Sequence, residues 1–283
     1  MGIAATTVKE LRQRTGAGMM DCKKALVETG GDIDEAIKLL RTKGLAAAAK
    51  KAHRAASEGL VVVRGDDRRS IILELNCETD FVARNEEFQQ FAIDLADQAL
   101  GSQLDDVGAL KSQPFMQDGE HTVEQAISQK IATIGENIVL SRAKYFQSED
   151  GLHLASYVHM GGTLGVVVEG SDSIPAAALR DVAMHIAATD PRFVAREQVT
   201  QEVLAAEREI ALKQAMDQGK PEHIAQRIVE GKMGKYFEQV VLLEQPFAKD
   251  SSKTVGEFIR AAGGSDARIA RFVRFKLGEA ASE

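Results

Sequence analysis

The 283-residue sequence contains no tryptophan, only two cysteines and five prolines, and its aromatic share is 5%. Without Trp, and with three Tyr and 11 Phe spread along the chain, there is no reserve of flat rings for a sugar- or base-stacking surface. Cys22 and Cys77 stand far apart with no Cys-x-x-Cys spacing. That argues against a disulfide framework or a zinc site and makes a reducing cytoplasm the simplest setting. No apolar run nears the ~18 residues that a membrane span needs, and Met1-Gly2 opens no signal-peptide pattern, so no membrane partner is expected. Nor is there an excess of positive charge. The balance is -7, and because phosphate neutralisation requires a basic face, no direct nucleic-acid partner is expected either.

Reactive constellations are equally scarce. The six histidines, His53, His121, His153, His159, His185 and His223, form no His-Glu-x-x-His or paired cluster. Gly16-x-Gly18-x-x-Asp21 has no third glycine and no preceding strand, and no phosphate-binding loop is present. Cys77 ends an apolar strand pattern, the setting of an inert thiol rather than a nucleophile. His159 stands alone beside glycines, a contact or turn residue more than a base. The expectation is a protein without enzymatic activity, metal or cofactor.

The chain is 44% hydrophobic and 27% charged, enough to build two or three modules. Its charge is uneven: residues 1 to 58 carry 11 Lys+Arg against 7 Asp+Glu, leaving 24 basic and 35 acidic residues beyond them. A small basic module ahead of an acidic body suits an acidic partner surface, though solvated helix faces give the same counts. Thr7 with Glu10, and Asp32 with Glu35, have capping-box spacing, and glycines punctuate the segments between. Three helices follow, about Val8 to Arg14, Met19 to Glu28 and Ile33 to Leu40, able to share a core of Val8, Leu11, Ala25, Leu26, Ile33, Ala36, Ile37 and Leu40. This looks like a three-helix module of the ubiquitin-associated type, over residues 1–50, with an Ala-rich helical linker to about 58. Met19 and Met20, at its glycine-rich corner, are either adaptable surface contacts or core.

The body reads as a duplicated α+β unit of two small antiparallel sheets with helices. Strand, strand and helix at Leu60 to Arg64, Ile71 to Cys77 and 84–100 recur at Leu154 to His159, Leu164 to Val168 and 176–188. Ile138 to Phe146 supplies a further strand to the first unit; Phe237 to Leu243 and Ile269 to Leu277 complete the second. The expected divisions are 59–147 for the first unit and 148–195 with 237–283 for the second. Residues 196–236 form an inserted helical hairpin: Val199, Val203, Ala206 and Ile210 lie on one helix, Gly219-Lys220-Pro221 makes the turn, and Ile224, Ile228, Val229 and Met233 lie on the other. Pattern alone leaves open whether it projects or folds flat.

Within this body, Thr79-Asp80-Phe81-Val82 sits between a strand with Ile71, Leu73, Leu75 and Cys77 on one face and a helix that Asn85 can cap. An acid and a large aromatic are thus held at a strand-to-helix corner. Phe81 either projects as a wedge or closes the local core.

That motif, with Thr7-Val8-Lys9-Glu10-Leu11-Arg12-Gln13-Arg14-Thr15-Gly16-Ala17-Gly18-Met19-Met20-Asp21-Cys22-Lys23-Lys24-Ala25-Leu26, closely resembles the elongation factor Ts family of bacterial translation. Further landmarks in the family's order are Lys50-Lys51, Ile134-Gly135-Glu136-Asn137, Ser156-Tyr157-Val158-His159, Met184 to Ala188, Gly219-Lys220-Pro221, Gln245-Pro246-Phe247 and Lys253 to Gly256. The resemblance implies a guanine nucleotide exchange factor that binds elongation factor Tu in its GDP-bound and nucleotide-free forms. It implies Thr79, Asp80, Phe81 and Val82 as the residues that dislocate the partner's magnesium. Val8, Arg12, Met19, Met20, Lys23, Lys51, Ile134, Gly135 and His159 become the wider contact surface, and the hairpin a coiled coil that in some members supports self-association. Some members continue past the position of Glu279 into a helix that touches the GTPase, a contact expected to be missing here. The myristoylation-like start Met1 to Thr6 is then a chance match. The rival readings are an adaptor for ubiquitin-like proteins built on the first module, and an enzyme whose site forms between chains.

Overall fold

In the computed structural model, which describes residues 3–159, 161–217 and 221–279, the chain starts with α1 (Ala5–Thr15), α2 (Met19–Glu28) and α3 (Ile33–Lys51). Val8, Leu11, Cys22, Ala25, Leu26 and Ala36 close into one small core. Asp32 caps α3, its carboxylate accepting from the Glu35 amide. The Thr7 box does not form. α1 starts three residues earlier, behind Ala4, and Thr7 is already inside the helix. Met1-Gly2 of the myristoylation-like start and Gly219-Lys220 of the hairpin turn lie outside the described residues.

Two strands follow, β1 (Glu58–Gly65) and β2 (Arg69–Cys77), then a one-turn α4 (Asp80–Ala83), the long α5 (Glu86–Ser102), α6 (Val107–Ser112), α7 (Val123–Ile134) and β3 (Val139–Gln147). Asn85 caps α5 by accepting from the Glu87 and Phe88 amides. The first sheet is antiparallel in the order β1-β2-β3. Ile71, Leu73 and Leu75 meet Phe88, Phe91, Leu95 and Ile131 beneath it. The second unit runs β4 (Leu152–Val158), β5 (Leu164–Ser171), α8 (Ala176–Thr189), α9 (Gln201–Asp217), α10 (Glu222–Val240), a β6–β7 ribbon (Pro246–Phe247, Asp250–Thr254), α11 (Val255–Gly263) and β8 (Ile269–Lys276). Its sheet is antiparallel in the order β4-β5-β8.

β2 departs from the half-buried strand that its period-2 pattern predicts. Every residue from Ser70 to Cys77 is buried, because the second sheet covers the outer face. Val61, Ile72 and Phe146 of the first sheet pack there on Leu154, Val167 and Phe275 of the second. Two buried acids on the central strands are matched across this seam. Glu74 pairs with Arg142 at 2.7 Å, and Arg142 lies 4.2 Å from the centre of the Phe275 ring. Glu169 pairs with Arg271 at 2.6 Å, and Arg271 lies 4.9 Å from the Phe146 ring. Each Arg also donates to a backbone carbonyl of the opposite sheet, Arg142 to Lys276 and Arg271 to Gln147. The two sheets thus carry matching side chains that lace them together.

Two further expectations are corrected. Phe237 to Leu243 is not a strand: α10 continues through Val240, and Val241 and Leu242 then bury themselves as the helix ends. A short apolar run reads the same way in a strand and at a buried helix end. In the hairpin, α9 and α10 do pack on one another, but the buried positions of α9 are Ala211 and Ala215, while Ile210 is 51% exposed and Val199 precedes the helix. Small alanines let the helices approach where the expected larger residues would hold them apart.

The Ala-rich segment after Leu40 is helical as far as Lys51 and packs on the body. Gly44 is buried where an added Cβ would lie 3.8 Å from Ala132 and Ser128 of α7.

Candidate partner-binding site

β2 ends at Cys77, whose thiol donates to the Thr79 carbonyl at 3.2 Å. Thr79 then caps α4: its hydroxyl oxygen accepts from the Val82 amide at 3.4 Å. In this one-turn helix Ala83 is buried and Val82 packs against the first core, which leaves Phe81 facing outward. It is 81% exposed, against the ordinary tendency of large aromatics to be covered. Beside it Asp80 forms an exposed ion pair with Arg84 at 3.0 Å.

The corner is held from below by the loop after α7. Gly135 ends that helix in the left-handed region at φ 91°, a conformation that glycine adopts without a side-chain clash. The chain then turns so that Glu136 accepts from the Glu78 amide at 3.1 Å, the Thr79 amide at 3.0 Å and the Thr79 hydroxyl at 2.6 Å. Glu78 returns the contact by accepting from the Asn137 amide at 2.6 Å, which holds its carboxyl below the usual carboxylate range with help from Arg54.

A cleft of about 630 Å³ opens beside the corner, lined by Asp80, Ala83 and Arg84, by β1 and by Val158 and Gly161 to Thr163 at the β4–β5 turn. Val158 is 41% exposed, and His159 is exposed with its Nδ1 2.9 Å from the Tyr157 hydroxyl. The structure therefore brings Thr79 to Val82 together with Ile134, Gly135 and the His159 turn. Ile134 is partly buried against the first core, and Gly135 is exposed.

The remaining expected contacts are spread over the first three helices and divide among themselves. Arg12, Met19, Met20 and Lys23 are all exposed, Met20 at 61%. Val8 is buried at 5% exposure in the three-helix core. Lys51 is half-buried, its amine donating to the Ile131 carbonyl at 3.2 Å, where it caps α7. Sequence reasoning overlooked Glu78, Arg84, Glu136 and Asn137 as site residues. The available signal was an acid directly after a helix-ending glycine.

Burial pushes the Cys77 thiol up to about 12, so it stays protonated at neutral pH. Among the described residues no three His, Cys, Asp or Glu side chains converge as a metal site, and no helix is long and apolar enough to cross a membrane. Fold and site together define an α+β protein that offers other molecules a shaped contact surface. Residues 78–279 match the family model described as Elongation factor TS. The chain belongs to the elongation factor Ts family, the nucleotide exchange factors that act on elongation factor Tu in translation elongation.

Proposed function

We propose that this chain releases GDP from elongation factor Tu by pressing Phe81 and Asp80 against the elements that hold the partner's magnesium and phosphates, and that GTP binding then displaces it. The observation that carries this reading is the 81% exposure of Phe81 on a preformed corner. Magnesium demands near-ideal octahedral geometry, so a small displacement of its ligands weakens the nucleotide strongly. Asp80 adds an acceptor and a negative charge that redirect nearby groups. By linkage, nucleotide and exchange factor weaken each other's binding equally. The factor hastens equilibrium without choosing GTP.

The wedge does not act alone. A thousandfold weakening of the nucleotide requires about 4.1 kcal/mol of coupling, whereas burying one Phe supplies about 1.5 to 3 kcal/mol. Ile134, Gly135 and His159 extend the contact around the cleft. Arg12, Met19, Met20 and Lys23 extend it on a ubiquitin-associated-like docking module over residues 1–50. The body divides into 59–147 and 148–195 with 237–283. Residues 196–236 form a coiled-coil protrusion that serves self-association rather than exchange. The setting is the cytoplasm, with no direct nucleic-acid or membrane contact.

The test is GDP dissociation from elongation factor Tu as a function of added protein. The rate should rise to a plateau. Because α3 continues into the body's packing, docking is tested by substitution instead of deletion. Met20→Glu with Lys23→Glu should move the half-saturating concentration upward by about tenfold, the equivalent of 1.4 kcal/mol, and leave the plateau. Replacing the hairpin by a short Gly-Ser turn should leave both. A wild-type chain that leaves GDP release unchanged at saturating concentration would refute the proposal.

A further inference from the structure

We propose that Glu136 is the positioning residue of the exchange corner: its carboxylate fixes the direction in which Phe81 leaves the molecule. The inference rests on the wedge reading above and adds what orients the wedge. α4 has four residues, too few to hold a helical turn by its own hydrogen bonds. Its side-chain cap is Thr79, and a threonine hydroxyl has one proton to give. That proton goes to Glu136 Oε1 at 2.6 Å, which turns the hydroxyl oxygen's lone pairs toward the Val82 amide. The other carboxylate oxygen takes both the Glu78 and Thr79 amides. Three donors on one ionised carboxylate form a strong and directional set.

The clamp is reciprocal. Glu78 accepts from the Asn137 amide, and the Asn137 side chain donates to the Arg54 carbonyl at 2.9 Å, just past the end of α3. A corner that carries a buried side chain is held by that burial. Here Ala83 and Val82 anchor the inner side of α4 in the first core, while the turn that leads into it, at Glu78 and Thr79, is held by the polar clamp. Neither Glu136 nor Asn137 reaches outward as Phe81 does: Glu136 is half-buried and Asn137 is buried. Glu136 is thus assigned to act through Phe81 rather than by touching the partner.

The experiment compares Glu136→Ala, Glu136→Gln and Phe81→Ala by three readouts: thermal unfolding, amide hydrogen exchange of the free protein at Glu78 and Thr79, and GDP release from elongation factor Tu over a range of concentrations. Glu136→Ala should unfold near the wild-type temperature and lose protection at both amides by about tenfold or more, the factor expected for a hydrogen bond to a charged group. It should lower the plateau rate while the half-saturating concentration stays, because the docking surface is untouched. Glu136→Gln keeps acceptor oxygen but no charge and should fall between the two. If Glu136→Ala does not fold, the Gln variant decides by the same readouts. Unchanged protection, or lost protection with an unchanged plateau, overturns the assignment while a defect in Phe81→Ala leaves the wedge standing. An unchanged plateau for Phe81→Ala itself overturns the wedge, and with it the positioning role.

Discussion

The two halves of the body solve the same connection in opposite ways. In each, a central strand ends and a short link leads to a helix that covers the sheet. In the first half that link presents Phe81 to solvent at 81% exposure. In the second, Ile174 occupies the link between β5 and α8 and is fully buried, in contact range of Gly170 and Gly263. Each half thus serves as a control for the other. The architecture works with the apolar side chain turned inward, so the outward Phe81 answers a requirement other than folding. The seam between the sheets teaches the converse. There both halves keep the same device, a buried Glu, an Arg and a ring of the opposite sheet, because both need the seam for stability.

The seam gives the largest expected effect. Arg142→Ala leaves Glu74 buried without its partner and should destabilise by about 3 to 5 kcal/mol, read from denaturant unfolding. Arg271→Ala is the symmetric change, but the Arg271 side chain is 45% exposed against 13% for Arg142. Glu169 is as buried as Glu74, but water already reaches the Arg271 end of its pair, and the loss should be about half as large. Equal losses would break the comparison. Next comes Ile174→Ala, expected to destabilise by about 2 to 5 kcal/mol through the cavity it leaves, where Phe81→Ala should change stability by less than about 0.5 kcal/mol, as surface substitutions do. A smaller effect sharpens the second half further. His185 is buried on α8, its Nε2 2.9 Å from Gln245 Oε1 and its Nδ1 accepting from the Ala248 amide at 3.1 Å. Burial lowers its pKa from 6.5, opposed by the Gln245 contact. The unfolded chain therefore takes up the proton first, and stability is full above pH 6.5 and declines as the pH falls below it. His185→Gln should flatten that decline in a series of melting curves.

Much of this architecture is legible in the sequence because the signals are local. The strands at 71–77 and 164–168, the helix after Asn85 and the Asp32 cap all involve neighbours in the chain, and the structure contains each of them. Other features depend on distant partners. β2 is buried on both faces only because a second sheet arrives, and Val241 and Leu242 take their place from the core they enter rather than from their own pattern. α6 and α7 went unread because the strand–strand–helix template ends before them. The corner divides in the same manner. Thr79 to Val82 stands out locally, but its clamp comes from Glu136, 57 residues beyond Thr79, and no spacing rule connects the two. Val8 likewise takes its place from the three-helix core it enters.

The central claim is that Phe81 is held outward to dislodge the partner's magnesium, and one measurement addresses it directly: GDP release from elongation factor Tu by Phe81→Ala, with and without magnesium chelation. A folded Phe81→Ala protein should be severely impaired when magnesium is present and should recover much of the wild-type rate once magnesium is removed, because the step it promotes is then already done. A defect indifferent to magnesium, or wild-type exchange in its presence, would contradict the account.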